Sequence, residues 1–384
     1  MGITGIICEY NPFHLGHKKQ MDIIRREQGE DQGIVCLMSG NFVQRGHPAI
    51  VDKSLRAKAA ILCGADLVLE LPVTAALSSA EGFAARGVEI LSPFCDELCF
   101  GAESDDSKSL MAIAQSLLSE EFAPLLRLEL EKGLSFPAAR QAALEKMGLD
   151  GDLVTKPNNI LAVEYCKAIL TQSSQMKPFP ILREGNYHDT GVDEENPSAT
   201  AVRGLMQNSC DWQACVPAAA AEVFSNASLH TLQAGQRAVL SRLRTMSDGE
   251  FEALPYGSEG LWRKLMHAAR REATLEQIVT AVKSKRYTRT RLDRMVMCAF
   301  LGLTAEALNA SVPYVRVLAL NDRGRDILKK ARQFGTVLNA GERAEEPYQE
   351  MENRCGRLYG LFAMADPESP LAEENRRIFY HKKA

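Results

Sequence analysis

Glu9-Tyr10-Asn11-Pro12-Phe13-His14-Leu15-Gly16-His17 follows directly on the apolar run Ile3 to Cys8, and its reading decides the fold. A strand that ends in a polar, Pro-containing turn and enters a helix through His-x-Gly-His is suited to holding nucleotide phosphates. Gly16 lets the backbone come close, and the new helix points unpaired N–H groups and its positive dipole end at an anion. Two imidazoles add further donors. The bare four-residue pattern is short, so its weight comes from placement. It follows a predicted strand, opens a helix predicted from Gly16 to Glu27, and sits at the first β/α turn, where open parallel sheets bind nucleotides.

Outward from this turn, short β-like runs alternate with helical ones. Ile34 to Ser39, Asp66 to Leu71 and Glu97 to Phe100 read as further strands, with Pro180 to Leu182 as a fifth. Asp52 to Cys63, with Asp52 as N-cap and Gly64 as stop, and Ser79 to Leu91 read as helices. The order predicts an α/β fold, a Rossmann-like parallel sheet covered by helices on both faces, over residues 1–205. Within it, residues 107–172 read as a helical insertion. Beyond about 205 strand signals nearly vanish, which predicts a mainly helical domain over 206–384. Its candidate helices are Ala218 to Phe224, Leu232 to Met246, Gly260 to Ala269, Thr274 to Lys283, Arg289 to Leu301, Ala305 to Ala310 and Asp322 to Phe334.

Composition sets the frame. The 384 residues are 46% hydrophobic and 24% charged, as in an ordinary globular protein with room for two domains. A net charge of -4 gives no global attraction to nucleic acid, so an RNA-binding surface has to be local. No signal peptide is expected, and Asp66 and Glu70 interrupt the most apolar stretch, Ala59 to Leu77, which speaks against a membrane span. The ten cysteines are scattered without a C-x-x-C pair, so they read as free thiols packed in a reducing cytoplasm. No carboxylate cluster has metal-ligand spacing.

Several clusters belong with the first turn. Ser39 to Ala49 is a long polar loop at the end of the second strand, read either as an exposed turn or as a substrate loop with Gln44, Arg45 and His47 facing the reaction centre. Gly101, closing the fourth strand, is the candidate for a base or ribose lying against the backbone. Lys156-Pro157-Asn158-Asn159 precedes a helix, and either Asn reads as a cap. Arg183, ending a strand-like run, is placed to bind phosphate with its fork of donors. In Pro197-Ser198-Ala199-Thr200-Ala201-Val202-Arg203, Ser198 caps a helix and Arg203 projects toward the same anion. Together with the imidazoles this makes a second phosphate clamp.

His14-x-Gly16-His17 and Ser198-Ala199-Thr200-Ala201-Val202-Arg203 resemble the two signatures of the HIGH-type nucleotidyltransferase superfamily, the second its S-S-T-x-x-R motif. The chain departs at Ala199, where a second Ser is usual, which removes one side-chain phosphate donor. More narrowly, Cys8 to His14, Gly40 to Gly46, Glu70-Leu71-Pro72, Ser79 to Phe83, Pro157 to Leu161 and Gly185-x-Tyr187-His188-Asp189 resemble the bacterial tRNA(Met) cytidine acetate ligases. The match resumes at Lys283 to Arg291.

The resemblance implies a two-step ligase. Acetate attacks the α-phosphate of ATP to give acetyl-adenylate and pyrophosphate, and N4 of the wobble cytidine of elongator tRNA(Met) then takes the acetyl group. It further implies that Ile7, Cys8, Glu9, Tyr10, Asn11, Pro12, Phe13, His14, Gly16, His17 and Gln20 bind ATP, with Gly101, Asn158 or Asn159, and Arg183. His14 and His17 are assigned to phosphate stabilisation, with Ser198, Thr200 and Arg203 on the pyrophosphate side. Mg²⁺ is expected to be held mainly by nucleotide phosphates and water.

The RNA surface is expected at residues 283–294, where Lys283, Lys285, Arg286, Arg289, Arg291 and Arg294 face one acid, Asp293, with Tyr287 as a stacking aromatic. The plainer reading is a solvated turn between helices. Two other functions stay open: a nucleotidyltransferase acting on a small phosphorylated metabolite, and an RNA-binding adaptor with a decayed nucleotide site.

Overall fold

A computed structural model describes residues 2–183, 197–284, 286–331, 337–338, 346–366, 369–371 and 377–382. Its strands are β1 (Ile3–Cys8), β2 (Gly33–Ser39), β3 (Leu67–Leu71), β4 (Glu97–Ala102), β5 (Lys177–Leu182), β6 (Val315–Asn321) and β7 (Phe379–His381). They lie side by side in the order β7-β6-β3-β2-β1-β4-β5, and Val337–Leu338 pairs alongside β6. The first five are parallel, with β1 in register from Ile3 against Gly33 to Cys8 against Met38. The chain starts in the middle, winds outward to β3, and returns to the other side of β1 at β4. The crevice at the carboxyl ends of β1 and β4 is therefore the switch point of the sheet.

Period-two alternation explains why the sheet carries helices on both faces. Val35 and Leu37 point into one apolar layer with Phe83, Ala84 and Val88 of the helix Ala80–Leu91, while Ile34, Cys36 and Met38 point into the other. That second layer holds Met21 and Ile24 of α1 (Leu15–Gln28), Ala57 and Ala60 of α2 (Lys53–Leu62), and Val202 and Met206 of α3 (Ala199–Gln207). Asp52 caps α2 through Ser54 N (2.8 Å), as its place before the helix predicts. Residues 107–171 supply four helices, the last being Pro157–Thr171.

In the helical half the seven predicted segments are helical where described (332–334 lie outside the described residues), the helices Asp248–Glu252 and Glu346–Tyr359 fall outside the predicted segments, and strands do not end at residue 205. β6 adds antiparallel to β3, and β7 parallel to β6. Val315-Arg316-Val317-Leu318-Ala319-Leu320 is a short apolar run among helices, where periodicity does not separate strand from buried helix. What fixes it as a strand is an unsatisfied edge of β3 and the buried carboxylate of Asp66. That group accepts Ile34 N (2.9 Å), Arg25 Nη2 (2.7 Å) and Asn321 Nδ2 (2.9 Å), tying β2, α1 and β6 together.

Nine cysteines are buried, only Cys210 is exposed, and all ten are thiols. Among the described residues no helix is long and apolar enough to cross a membrane.

Candidate active site at the carboxyl ends of β1 and β4

The chain leaves β1 through Glu9, takes a left-handed turn at Tyr10 (φ 44°) and a cis Asn11–Pro12 peptide, and enters α1 with His14 as N-cap. Tyr10 and Phe13 are fully buried, with Tyr10 4.8 Å from both the Phe13 and the His17 ring centroids. The side chains of Cys8, Tyr10, Pro12 and Phe13 therefore build the floor of the turn, and Ile7 packs against the apolar layer beneath it. Asn11 spends its Oδ1 on Ile50 N (2.7 Å), and Gln20 donates to Cys99 Sγ (3.4 Å).

The imidazoles form a reciprocal cap. His14 Nδ1 accepts from Gly16 N (3.1 Å), His17 Nδ1 accepts from His14 N (3.2 Å), and the rings lie 3.7 Å apart. Burial pulls the His14 pKa down to about 3, helped by the charges of Arg183 and Arg203. His17 is likewise pushed well below 6.5, by burial first and then by His14 and Arg183. Both rings are neutral at physiological pH. Because each Nδ1 is an acceptor, each Nε2 carries the proton. The pair presents two neutral N–H donors, while the positive charge comes from the arginines.

Those arginines arrive from distant segments. Ser198 caps α3 by accepting Ala201 N (3.0 Å), Thr200 Oγ1 accepts Arg203 Nη2 (3.0 Å), and Arg203 Nη1 donates to the carbonyl of Asn11 (2.7 Å). The two segments read as phosphate clamps thus meet. Arg183, at the end of β5, donates to Asn158 Oδ1 (3.2 Å). Gly101 does not leave its face open, because Arg183 Cγ and Cδ fill it: a Cβ at 101 meets them at 2.9 and 2.8 Å. Asn158 is half-buried beside Arg183, whereas Asn159 is fully buried with Nδ2 unpartnered. Gly185, Tyr187, His188 and Asp189 lie outside the described residues.

The loop after β2 docks on the turn only in part. Gln44 N donates to Glu9 Oε1 (2.7 Å), but His47 turns away to Asp293 (3.5 Å) and Arg45 is exposed. Among the described residues no group of three His, Cys, Asp or Glu side chains is placed to hold a metal.

Residues 1–373 match the family model described as HIGH Nucleotidyl Transferase. The tRNA(Met) cytidine acetate ligase of Acetivibrio thermocellus is 35% identical, covering 88% of this chain and 87% of its own. That of Clostridium novyi is 36% identical, covering 88% and 89%. Two crystal structures of Thermotoga maritima TmcAL, one apo and one bound with alpha-thio ATP, superpose with TM-scores of 0.90 and 0.88 at 27% and 28% identity, covering all of both chains. The chain belongs to the tRNA(Met) cytidine acetate ligase family. The ligase fold thus brings together His14 and His17 at the start of α1, Arg203 of α3 and Arg183 at the end of β5.

Two organising residues of this ligase fold escape a linear reading. Arg56 on α2 is wholly buried and donates to the carbonyls of Val51 (2.8 Å), Glu9 (2.6 Å), Ser39 (3.2 Å) and Gly40. A signal existed: Lys53, Arg56, Ala57 and Ala60 share one helical stripe, and cations on a buried stripe need acceptors. Glu103 is the other; its partners lie 55 residues away, a separation no local pattern reveals.

The RNA run is rearranged by partners from elsewhere. Arg289 pairs with Glu276 (2.7 Å) and Asp293 (2.9 Å), Arg286 with Glu259, and Arg291 with the Tyr256 carbonyl (2.7 Å). Arg294 is buried, with its guanidinium 5.0 Å from the Tyr256 ring centroid. Tyr287 is only 3% exposed, so it is a core residue and not a stacking platform. Lys283 is exposed, and Lys285 lies outside the described residues.

Replacing Arg56 by Met orphans four carbonyls and is expected to cost at least about 3 kcal/mol, read from the urea unfolding midpoint. An unchanged midpoint removes the clamp from the account. For pH, a histidine neutral in the fold and protonatable in the unfolded chain contributes stability above pH 6.5 that is lost as pH falls toward 3. His14→Gln is therefore expected to flatten the fall in stability between pH 6 and pH 4 by about 1.4 kcal/mol per pH unit. Equal slopes in the two proteins contradict the neutral ring.

Proposed function

We propose that this chain is an ATP-dependent tRNA(Met) cytidine acetate ligase. The observation that carries it is the bond between Arg203 and the Asn11 carbonyl, which joins the serine-capped helix to the imidazole turn across one cleft. An acetate oxygen attacks the α-phosphorus of ATP, the α–β bridging bond breaks, and pyrophosphate leaves with the electron pair. N4 of the wobble cytidine of elongator tRNA(Met) then attacks the acetyl carbonyl, loses its proton, and AMP leaves. The ligand requirements of the first step match the cleft: charge builds on phosphoryl oxygens, and preset donors stabilise it without reorganisation. His14 and His17 donate through Nε2–H, Arg183 and Arg203 supply positive charge, and Ser198 and Thr200 flank the pyrophosphate side. The buried, unpartnered Asn159 Nδ2 suits an acceptor on the nucleotide. Mg²⁺ enters with the phosphates in this reading. A tRNA substrate is consistent with a cytoplasmic enzyme in this reading.

For the second substrate, exposed cations among the described residues include Lys283 together with Arg263 and Lys264 of the helix Leu261–Ala269. Lys264 Nζ lies 5.4 Å from the centroid of Tyr287, so this helix packs beside Tyr287 and the neighbouring Arg286. We assign phosphate contacts to these exposed cations, with Arg286 at their edge and Arg289, Arg291 and Arg294 supporting them from behind.

Acetate-dependent ATP–pyrophosphate exchange, with detection of N4-acetylcytidine after adding tRNA, tests the reading; a chain acting on a phosphorylated metabolite shows neither. His17→Ala and His14→Asn are each expected to lower exchange by about a hundredfold while leaving tRNA affinity within about twofold. Parallel loss of both activities argues against a phosphate role. Replacing Arg263, Lys264 and Lys283 by Ala is expected to weaken tRNA binding and to flatten its log–log salt slope by roughly 0.7–0.9 per lost contact. A slope that does not move places the RNA elsewhere.

A further inference from the structure

We propose that Glu103 is a positioning residue that sets Arg183 for ATP through the side chain of Asn158; this rests on the reading of the cleft as the ATP site. Glu103 follows β4 directly. One carboxylate oxygen accepts the backbone N–H of Asn158 (3.2 Å) and its Nδ2 (2.7 Å), and the other accepts the backbone N–H of Asn159 (2.8 Å). The backbone N–H of Glu103 in turn donates to Asn159 Oδ1 (2.8 Å).

Two of these bonds merely cap the helix Pro157–Thr171. The bond to Nδ2 does something else. A carboxylate only accepts, so it fixes which end of the Asn158 amide faces it and leaves Oδ1 directed at Arg183 Nη1 (3.2 Å). An unrestrained amide flips and offers Nδ2–H to the guanidinium, which has no acceptor for it. Meanwhile the stem of Arg183 rests on Gly101, so the side chain is held at its head by Asn158 and along its length by bare backbone. The same guanidinium is close enough for its charge to be felt at both His14 and His17. Glu103 therefore reaches the phosphate donors without touching ATP.

Calorimetric binding of ATP to the full chain tests this with Glu103→Gln, Asn158→Ala, Arg183→Ala and the paired variants. Each single change is expected to weaken ATP binding by roughly tenfold or more, because a charge-assisted link is lost. Glu103→Gln/Arg183→Ala and Asn158→Ala/Arg183→Ala are expected to be no weaker than Arg183→Ala alone, within about twofold. A purely structural cap predicts the opposite, with losses that multiply. Asn158→Ala keeps both capping N–H groups, so its melting temperature stays unchanged and it decides the matter even if Glu103→Gln fails to fold. Unchanged ATP affinity in Asn158→Ala, or multiplying losses, overturns the proposal. Absence of acetate-dependent exchange in the unaltered protein sinks the ligase reading instead, and leaves this binding cycle to stand or fall by itself.

Discussion

The Arg56 guanidinium is the constraint on which the site depends. At the carboxyl edge of a parallel sheet, strand carbonyls point into the crevice and lose their ladder partners. Arg56 collects carbonyls from the residue after β1, the end of β2 and the start of the next loop, and adds that of Val51, which precedes the N-cap of α2. Burial pulls its pKa down, opposed by Tyr359, Asp52 and Glu9, and a guanidinium remains charged in any case. A short side chain meets one carbonyl; a planar fork with five donors fixes several backbones at once. The imidazole turn is thereby fixed from below before any ligand arrives.

Above that floor, two protonated imidazoles 3.7 Å apart would repel each other and the neighbouring arginines, so burial beside those arginines keeps both rings neutral. Permanent charge is left to Arg183 and Arg203, which are anchored on polar groups: an amide oxygen, a carbonyl and a hydroxyl. Glu103 stands one amide farther back, linked to Arg183 through the side chain of Asn158.

How much of this was legible in the chain depended on distance. The His-x-Gly-His turn, the caps at Asp52 and Ser198, and the alternating apolar strands are local, and the structure places them as the spacing predicts. What failed was pairing across the fold. The run at 283–294 shows one acid in its own stretch, yet Glu259 and Glu276 arrive from other elements to neutralise Arg286 and Arg289, and Tyr287 turns inward beneath Lys264. Gly101 looked open because its covering side chain, Arg183, comes from the neighbouring strand. β6 was missed because its pairing partners, β3 and β7, lie far from it in the chain, so no local pattern marks it as a strand.

That pairing also changes what the helical half can be to the site. Tyr359 donates to the carbonyl of Ala49 (2.8 Å), His230 N to that of Ile50 (2.9 Å), and Gly46 (φ 80°) lies so close to the backbone of Asp293 and Arg294 that a Cβ meets it at 2.5 Å. The loop between β2 and α2 is thus gripped from the helical side at three places. On its other side it is held by Asn11 Oδ1 and the Glu9 carboxylate, both in the imidazole turn. One loop therefore shares its rigidity between the helix that presents Arg289 and Arg294 and the turn that presents His14 and His17. A displacement of either partner has to deform a segment already packed on both faces, and close-packed interiors transmit such strain instead of absorbing it. The sheet and the helical half behave mechanically as one body, although their apolar cores are distinct.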